Sequence, residues 1–457
     1  MNIATLSLAT LLAAQTPTPS VSPPTEQEQL QAQYDRALAA GYKALFLCSA
    51  IANAERNGTI RTPESVLQWE LSGIQAPLDE IVSELPYSIE RSATSGAVES
   101  VSVVYGESAA RIALHTPERG CAIQPIGFSL PEKREAPTPP VDITFSREVD
   151  PMMLNLADKR VDVGAAFTGK YGEGRTTVVT VLYKGKHAGE QFGDGFFAKT
   201  PQRTWSVAKS IAAVLVGAAV YRGEADVNAS AGLGADESDP RRAITIDQAL
   251  RMASGRYSAT RGNRTDALYF GGATVAESMT HWPLIQTPGT VYRYANYDTL
   301  AATQAIKHTF AEHPPAEFFA KVGMHNTVAE TDWQGDYILS SQVWSTSRDL
   351  ARLGQLMLDD GVLPSGERVL PEGWLEYVST PSGPQPDSPF GYGAGWWLMN
   401  KSDGVPPDTI AAFGNRGQYI VVVPSREVVI VRRGENKVGT RFDIAAFTRD
   451  VLAALEE

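Results

Sequence analysis

One stretch constrains this chain more than any other: Thr204-Trp205-Ser206-Val207-Ala208-Lys209-Ser210, followed by the apolar run Ile211 to Tyr221. It reads as a helix that opens at a hydroxyl residue and continues into a core. On a helix, residues three apart share a face, so Ser206 and Lys209 would lie together. A lysine whose charge is disfavoured by burial can take a serine proton, which makes this pair a candidate activated nucleophile. The bland alternative is a helix cap beside a lysine that reaches to solvent. Chance does not separate the two: 32 serines and 12 lysines in 457 residues give about one such spacing at random, and the chain has one.

Two later stretches bear on that choice. Tyr294-Ala295-Asn296 is the sole Tyr-x-Asn in the chain. A tyrosine hydroxyl near the lysine can relay a proton, and an Asn amide can hold a substrate carbonyl. The other reading is an aromatic turn in which Tyr packs and Asn caps. Phe413-Gly-Asn415-Arg416-Gly417-Gln418 runs into the apolar strand Gln418 to Val423. Glycines there allow close backbone approach, and the N–H of Gln418 could join that of Ser206 around an oxyanion; otherwise this is an ordinary glycine turn.

The pattern of elements is α+β. Glu28 to Asn57 is helical by apolar spacing, a short helix follows Thr62-Pro63-Glu64, and Glu99 to Tyr105, Ser108 to Leu114 and Cys121 to Ile126 read as strands. The proline-rich, charged stretch Leu130 to Val141 reads as a linker. Beyond it, Thr176 to Tyr183 and His187 to Phe192 form a hairpin, helices fill the middle, Gly391 to Met399, Gln418 to Val423 and Glu427 to Arg433 are strands, and Phe442 to Leu455 closes the chain as a helix. The order implies an antiparallel sheet flanked by helices, with a helical insertion, plus a small N-terminal α+β unit. The expected division is 1–24 as export signal and flexible N-terminus, 25–140 as the N-terminal unit, and 141–457 as the main domain.

Composition narrows the function. A net charge of −12 with no Lys/Arg run gives no footprint for nucleic acid. No Cys/His cluster suggests a metal, and no cofactor is expected. Ile3 to Ala14 form a short apolar segment resembling an export signal, which points to a periplasmic or secreted protein; an unstructured N-terminus of a cytoplasmic protein is the alternative. That segment is too short to span a bilayer, and no membrane span is expected. Cys48 and Cys121 allow one pairing, either a bridge or two buried thiols. Two decoys fall away. Gly164 to Lys170 has P-loop spacing, but Tyr171 stands where Ser or Thr would bind the metal, and there is no Gly-x-Ser-x-Gly.

Together, Trp205-Ser206-Val-Ala-Lys209-Ser210, Tyr294-Ala-Asn296 and Asn415-Arg416-Gly417 resemble, in order, the three motifs of the serine β-lactamase/penicillin-recognising superfamily. The nearest resemblance is to its class C β-lactamase-like branch, with the 6-aminohexanoate-dimer hydrolases and related esterases. It covers about Thr176 to Leu455. It implies a β-lactamase/transpeptidase-like fold and an acyl-enzyme on Ser206, with Lys209 as base, Tyr294 sharing proton transfer, and backbone N–H groups of Ser206 and Gln418 as oxyanion hole. Asn296, Asn415, Arg416 and Gly417 would meet the substrate, with Tyr257 or Tyr269 as an extra contact. In β-lactamases the third motif usually begins with Lys; Asn415 here favours a small ester or linear amide, unless Arg416 supplies the cation. A non-catalytic binding module and a D-alanyl peptidase or β-lactamase are the alternatives.

Overall fold

The computed structural model describes residues 24–107, 110–128, 155–257, 265–280, 282–381 and 383–456. The expected export signal and the expected linker therefore lie outside the described residues.

The N-terminal unit is built on α1 (Glu26–Arg56), which opens with a capping box of Thr25 and Glu28. By length and composition α1 could cross a membrane, but Leu38 to Ala54 are buried within the protein, as befits a core helix. Helices α2 (Pro63–Trp69) and α3 (Leu78–Val82) follow, then the antiparallel sheet β1 (Tyr87–Arg91), β2 (Val98–Val104), β3 (Ala110–Thr116) and β4 (Gly120–Ile123). Cys48 of α1 and Cys121 of β4 form a disulfide, which resolves the two readings of these cysteines.

The main sheet has seven antiparallel strands. In chain order they are β5 (Thr176–Tyr183), β6 (Lys186–Phe192), then, after the short β7 (Gln202–Arg203), β8 (Val328–Ala329) and β9 (Val343–Ser345) of a separate small sheet, β10 (Gly391–Tyr392), β11 (Trp397–Leu398), β12 (Ile410–Gly414), β13 (Gln418–Val423) and β14 (Val428–Gly434). Across the sheet the order is β10-β11-β12-β13-β14-β5-β6. Side chains alternate along a strand, so each face has its own core. Ile420 and Val422 of β13 face one core, while Val421 and Val423 face the other.

The first core holds α4 (Val207–Tyr221), buried on every side over its first thirteen residues, as befits a helix that is apolar all round apart from Lys209 and Ser210 near its start. The helical insertion includes α5 (Ile246–Leu250), α6 (Asp266–Tyr269), α7 (Val275–Thr280), α8 (Asn296–Ala305), which packs on α4, and α9 (Pro315–Lys321); α10 (Ser347–Leu358) packs on β5, β13 and β14, and α11 (Trp374–Ser379) follows. The second core is closed by α12 (Ile444–Glu456).

A third core joins the N-terminal unit to the insertion. Tyr42 and Phe46 of α1 pack with Trp205, Phe270 and Trp344. Two expectations on elements need correcting. Gly391 to Met399 is two short strands rather than one, because Gly395 at φ 75° turns the chain between them. β12 was not anticipated, since Ala411 and Ala412 carry little strand signal, and neither were β1 and the short β7, β8 and β9.

Candidate active site

Ser206 occupies the N-cap position of α4, yet its hydroxyl makes no capping bond. Lys209 Nζ instead donates to Ser206 Oγ at 3.1 Å and to the Ser340 carbonyl at 2.7 Å. Lys209 is 1% exposed. The bland reading of this pair therefore fails on both counts: the serine does not cap and the lysine does not reach solvent. Burial pulls the lysine pKa from its ordinary 10.5 to about 7. An ammonium in a poorly solvated site loses its proton readily, and the carbonyl of Ser340 still fixes the amine.

The residue before the serine is strained. Trp205 has φ 50°, a left-handed conformation that costs a non-glycine residue roughly 1–3 kcal/mol. Its indole packs with Phe46 and with the Arg203 guanidinium, which sits 4.2 Å from the ring centre. The strained turn is thus fixed by the third core.

Tyr294 lies just ahead of α8. Lys209 Nζ lies 5.1 Å from its ring centre. Burial pushes the phenol above its usual range, with the nearby Ser206 hydroxyl opposing. At neutral pH this is a protonated hydroxyl beside a lysine that can be neutral, so the two groups differ in what they can do. Trp397 stacks on the tyrosine ring at 5.6 Å.

The turn from β12 to β13 approaches from the other side. A Cβ on Gly414 would lie 2.4 Å from the carbonyl oxygen of Thr204, so this strand end abuts the entry to Ser206. Gly414 pairs with Gln418 across the three-residue turn Asn415-Arg416-Gly417. The Gln418 side chain accepts from Arg433 Nε at 2.6 Å and donates to the Gly434 carbonyl.

The structure thus brings Ser206, Lys209 and Tyr294 together, with the start of β13 beside them. It disposes the other expected residues differently. Asn415 is exposed and accepts from the Arg416 N–H at 2.9 Å. Arg416 as a substrate cation must be corrected: it is buried, and its guanidinium donates to the carbonyls of Trp69, Glu70 and Ser72. Gly417, at φ 83°, is required by close packing, since a Cβ there would lie 2.0 Å from Arg432 Nη1. Asn296 is buried and donates from Nδ2 to Thr265 Oγ1 at 2.9 Å. Tyr269 as a substrate contact is also corrected: it is buried in the third core, its hydroxyl paired with Ser340 Oγ at 2.7 Å. Tyr257 is 42% exposed and packs on Trp282.

Sequence reasoning missed Ser340, whose contribution is a carbonyl and so leaves no residue-type signal. It also missed Arg433. There a signal existed: Arg432 and Arg433 end an otherwise apolar strand, and buried charges need partners.

Comparison with known proteins gives three findings. The family model described as Beta-lactamase matches residues 165–454. The 6-aminohexanoate-dimer hydrolase of Paenarthrobacter ureafaciens is 31% identical over 153 residues, which cover 31% of this chain and 38% of that protein. Two solved structures share the fold. One, a Bacillus anthracis protein provisionally assigned as a 6-aminohexanoate-dimer hydrolase, is 19% identical with a TM-score of 0.52, over 61% of this chain and 78% of the other. The second, a family VIII carboxylesterase, is 16% identical with a TM-score of 0.50, over 66% of this chain and 98% of the other.

Proposed function

Because the chain belongs to the Beta-lactamase family, we propose that it is a serine hydrolase that cleaves a small ester or linear amide through an acyl-enzyme on Ser206. The observation that carries this reading is the contact of 3.1 Å between Lys209 Nζ and an uncapped serine hydroxyl. Ser206 Oγ attacks the substrate carbonyl carbon and Lys209 Nζ takes its proton. The phenol of Tyr294 gives its proton to the leaving oxygen or nitrogen and takes in return the proton that Lys209 received from Ser206. Water then attacks the acyl-enzyme, and its proton returns along the same groups. The N–H groups of Ser206 and Gln418 receive the oxyanion in both halves. Nothing in these steps calls for a metal or cofactor.

The choice of substrate rests on charge. The third motif begins with uncharged Asn415, and Arg416 is turned into the protein. A carboxylate beside the scissile bond, as in a β-lactam, would lack the expected partner there, which favours a neutral acyl group. Export is the companion reading: a buried disulfide suits an oxidising compartment.

The test is hydrolysis of p-nitrophenyl acetate and a panel of linear amides by the wild type and by Ser206→Ala, with fluorophosphonate labelling followed by mass spectrometry. Label on Ser206 and loss of turnover in the mutant are expected. Undiminished hydrolysis by Ser206→Ala refutes the reading. Label without turnover on any substrate of the panel would instead favour a binding module.

A further inference from the structure

The N-terminal unit lies before the residues that match the family model, yet it reaches the third motif directly. Arg416 is the link. Its Nη2 donates to the Trp69 carbonyl at 2.9 Å and to the Ser72 carbonyl at 2.7 Å, its Nη1 donates to the Glu70 carbonyl, and its Nε lies 3.1 Å from Glu435. Trp69 is the last residue of α2 and Glu70 its C-cap. The last carbonyls of a helix have no partner within it and carry the negative end of its dipole, so a guanidinium satisfies them in place of a local cap.

That helix end is itself anchored. Arg61 grips the Glu70 carboxylate with bonds of 2.8 and 2.6 Å. Arg175 donates to the Gln68 carbonyl at 2.8 Å and to Ser72 Oγ at 2.9 Å, and lies 4.4 Å over the Trp69 ring. The Val438 N–H donates to the Gly73 carbonyl at 2.8 Å. Arg416 is therefore tied to a fixed ledge and not to a loose loop.

The consequence falls on the turn. Arg416 at φ 59° and Gly417 at φ 83° are both left-handed, and together they swing the chain from β12 into β13. A residue other than glycine holds that conformation only where its surroundings over-determine it. On the near side of the turn Gly414 abuts Thr204, two residues before the nucleophile, and on the far side stands Gln418. From behind, Tyr42 and Phe46 of the same N-terminal unit pack against Trp205.

We propose that the N-terminal unit is a positioning device for the hydrolase site: by holding Arg416 in its left-handed turn, it aligns the Gln418 N–H with that of Ser206. This rests on the acyl-enzyme reading above. Arg416 touches no reacting atom, so it is a positioning residue. Misalignment of an oxyanion donor weakens binding of the transition state and not of the ground state, so the loss appears in kcat rather than KM.

The test uses the full chain and p-nitrophenyl acetate. Arg416→Ala is expected to lower kcat about 100-fold, the size of effect seen when one oxyanion donor is lost, with KM within about twofold and the pH midpoint of the rate unchanged. Arg416→Lys, which can still donate to some of the carbonyls, is expected to recover about a third to a tenth of the wild-type rate. Wild-type kcat in a folded Arg416→Ala, or a change confined to KM, overturns the proposal. Should Arg416→Ala not fold, Arg175→Ala decides. It loosens the ledge from the half-exposed side and is expected to lower kcat several-fold; an unchanged kcat overturns the proposal. Activity that survives Ser206→Ala refutes the hydrolase reading, and positioning falls with it. Activity lost in Ser206→Ala but untouched by both arginine substitutions refutes positioning alone.

Discussion

Replacing Lys209 with methionine should lower activity and raise stability at the same time. The lysine is buried, and burial holds its pKa at about 7 against 10.5 for the free side chain. The folded value lies below the unfolded one. Between about pH 7 and 10.5 the unfolded chain therefore carries the extra proton, and stability rises with pH across that window; below pH 7 the whole cost of burying the amine is felt. At pH 7 that cost is of order 4 kcal/mol. Methionine has no proton to lose and nearly the same shape. It leaves the Ser340 carbonyl without its lysine donor, a loss of roughly 1–3 kcal/mol. The net expectation for Lys209→Met is a gain of about 1–3 kcal/mol at pH 7, shrinking and then reversing as the pH approaches 10.5. Activity should fall by roughly 10²–10⁴-fold through loss of the base.

Urea denaturation at pH 7, 8.5 and 10 measures the first quantity, and ester hydrolysis the second. The wild-type rate offers an independent check, because kcat/KM should rise about tenfold from pH 6 to pH 8 as Lys209 becomes neutral. A variant less stable than wild type at pH 7, by a margin that stays constant with pH, would mean that Lys209 is charged and paired in the folded protein. A flat rate profile would lead to the same conclusion.

Two further predictions concern the N-terminal unit. Gly41→Ala should lower the urea midpoint by a net cost of about 1–3 kcal/mol, since the new Cβ would sit 1.9 Å from the Phe270 carbonyl oxygen inside a packed core; a more stable variant, as helix propensity alone would give, refutes that packing. The double variant Cys48→Ala/Cys121→Ala frees a loop spanning 73 residues and should cost about 4 kcal/mol by chain entropy, read from the same urea curves; a loss well under 1 kcal/mol refutes the account.

The Ser206–Lys209 pair was legible because its information is local. Three residues of spacing on a helix place Ser206 and Lys209 together, whatever surrounds the helix. The strands of the main sheet were legible for the same reason: Thr176 to Tyr183 and Gln418 to Val423 are apolar runs between turn residues. Destinations that depend on distant partners were not. Nothing near Arg416 indicates that its guanidinium ends on a helix some 340 positions earlier in the chain. Tyr257 and Tyr269 look equivalent in sequence, and only the third core, assembled from α1 and the insertion, buries one and leaves the other exposed. The spacing of Tyr42, Leu45 and Phe46 announces a buried helix face without naming what covers it.

That third core separates two notions of a boundary. Likeness to the family begins at residue 165, and a chain cut there would still carry every residue of the three motifs. It would also leave Trp205, Phe270 and Trp344 facing water where Tyr42 and Phe46 had been. Ancestry marks off one piece of this molecule and cohesion marks off another, and Ser206 stands on the seam between them.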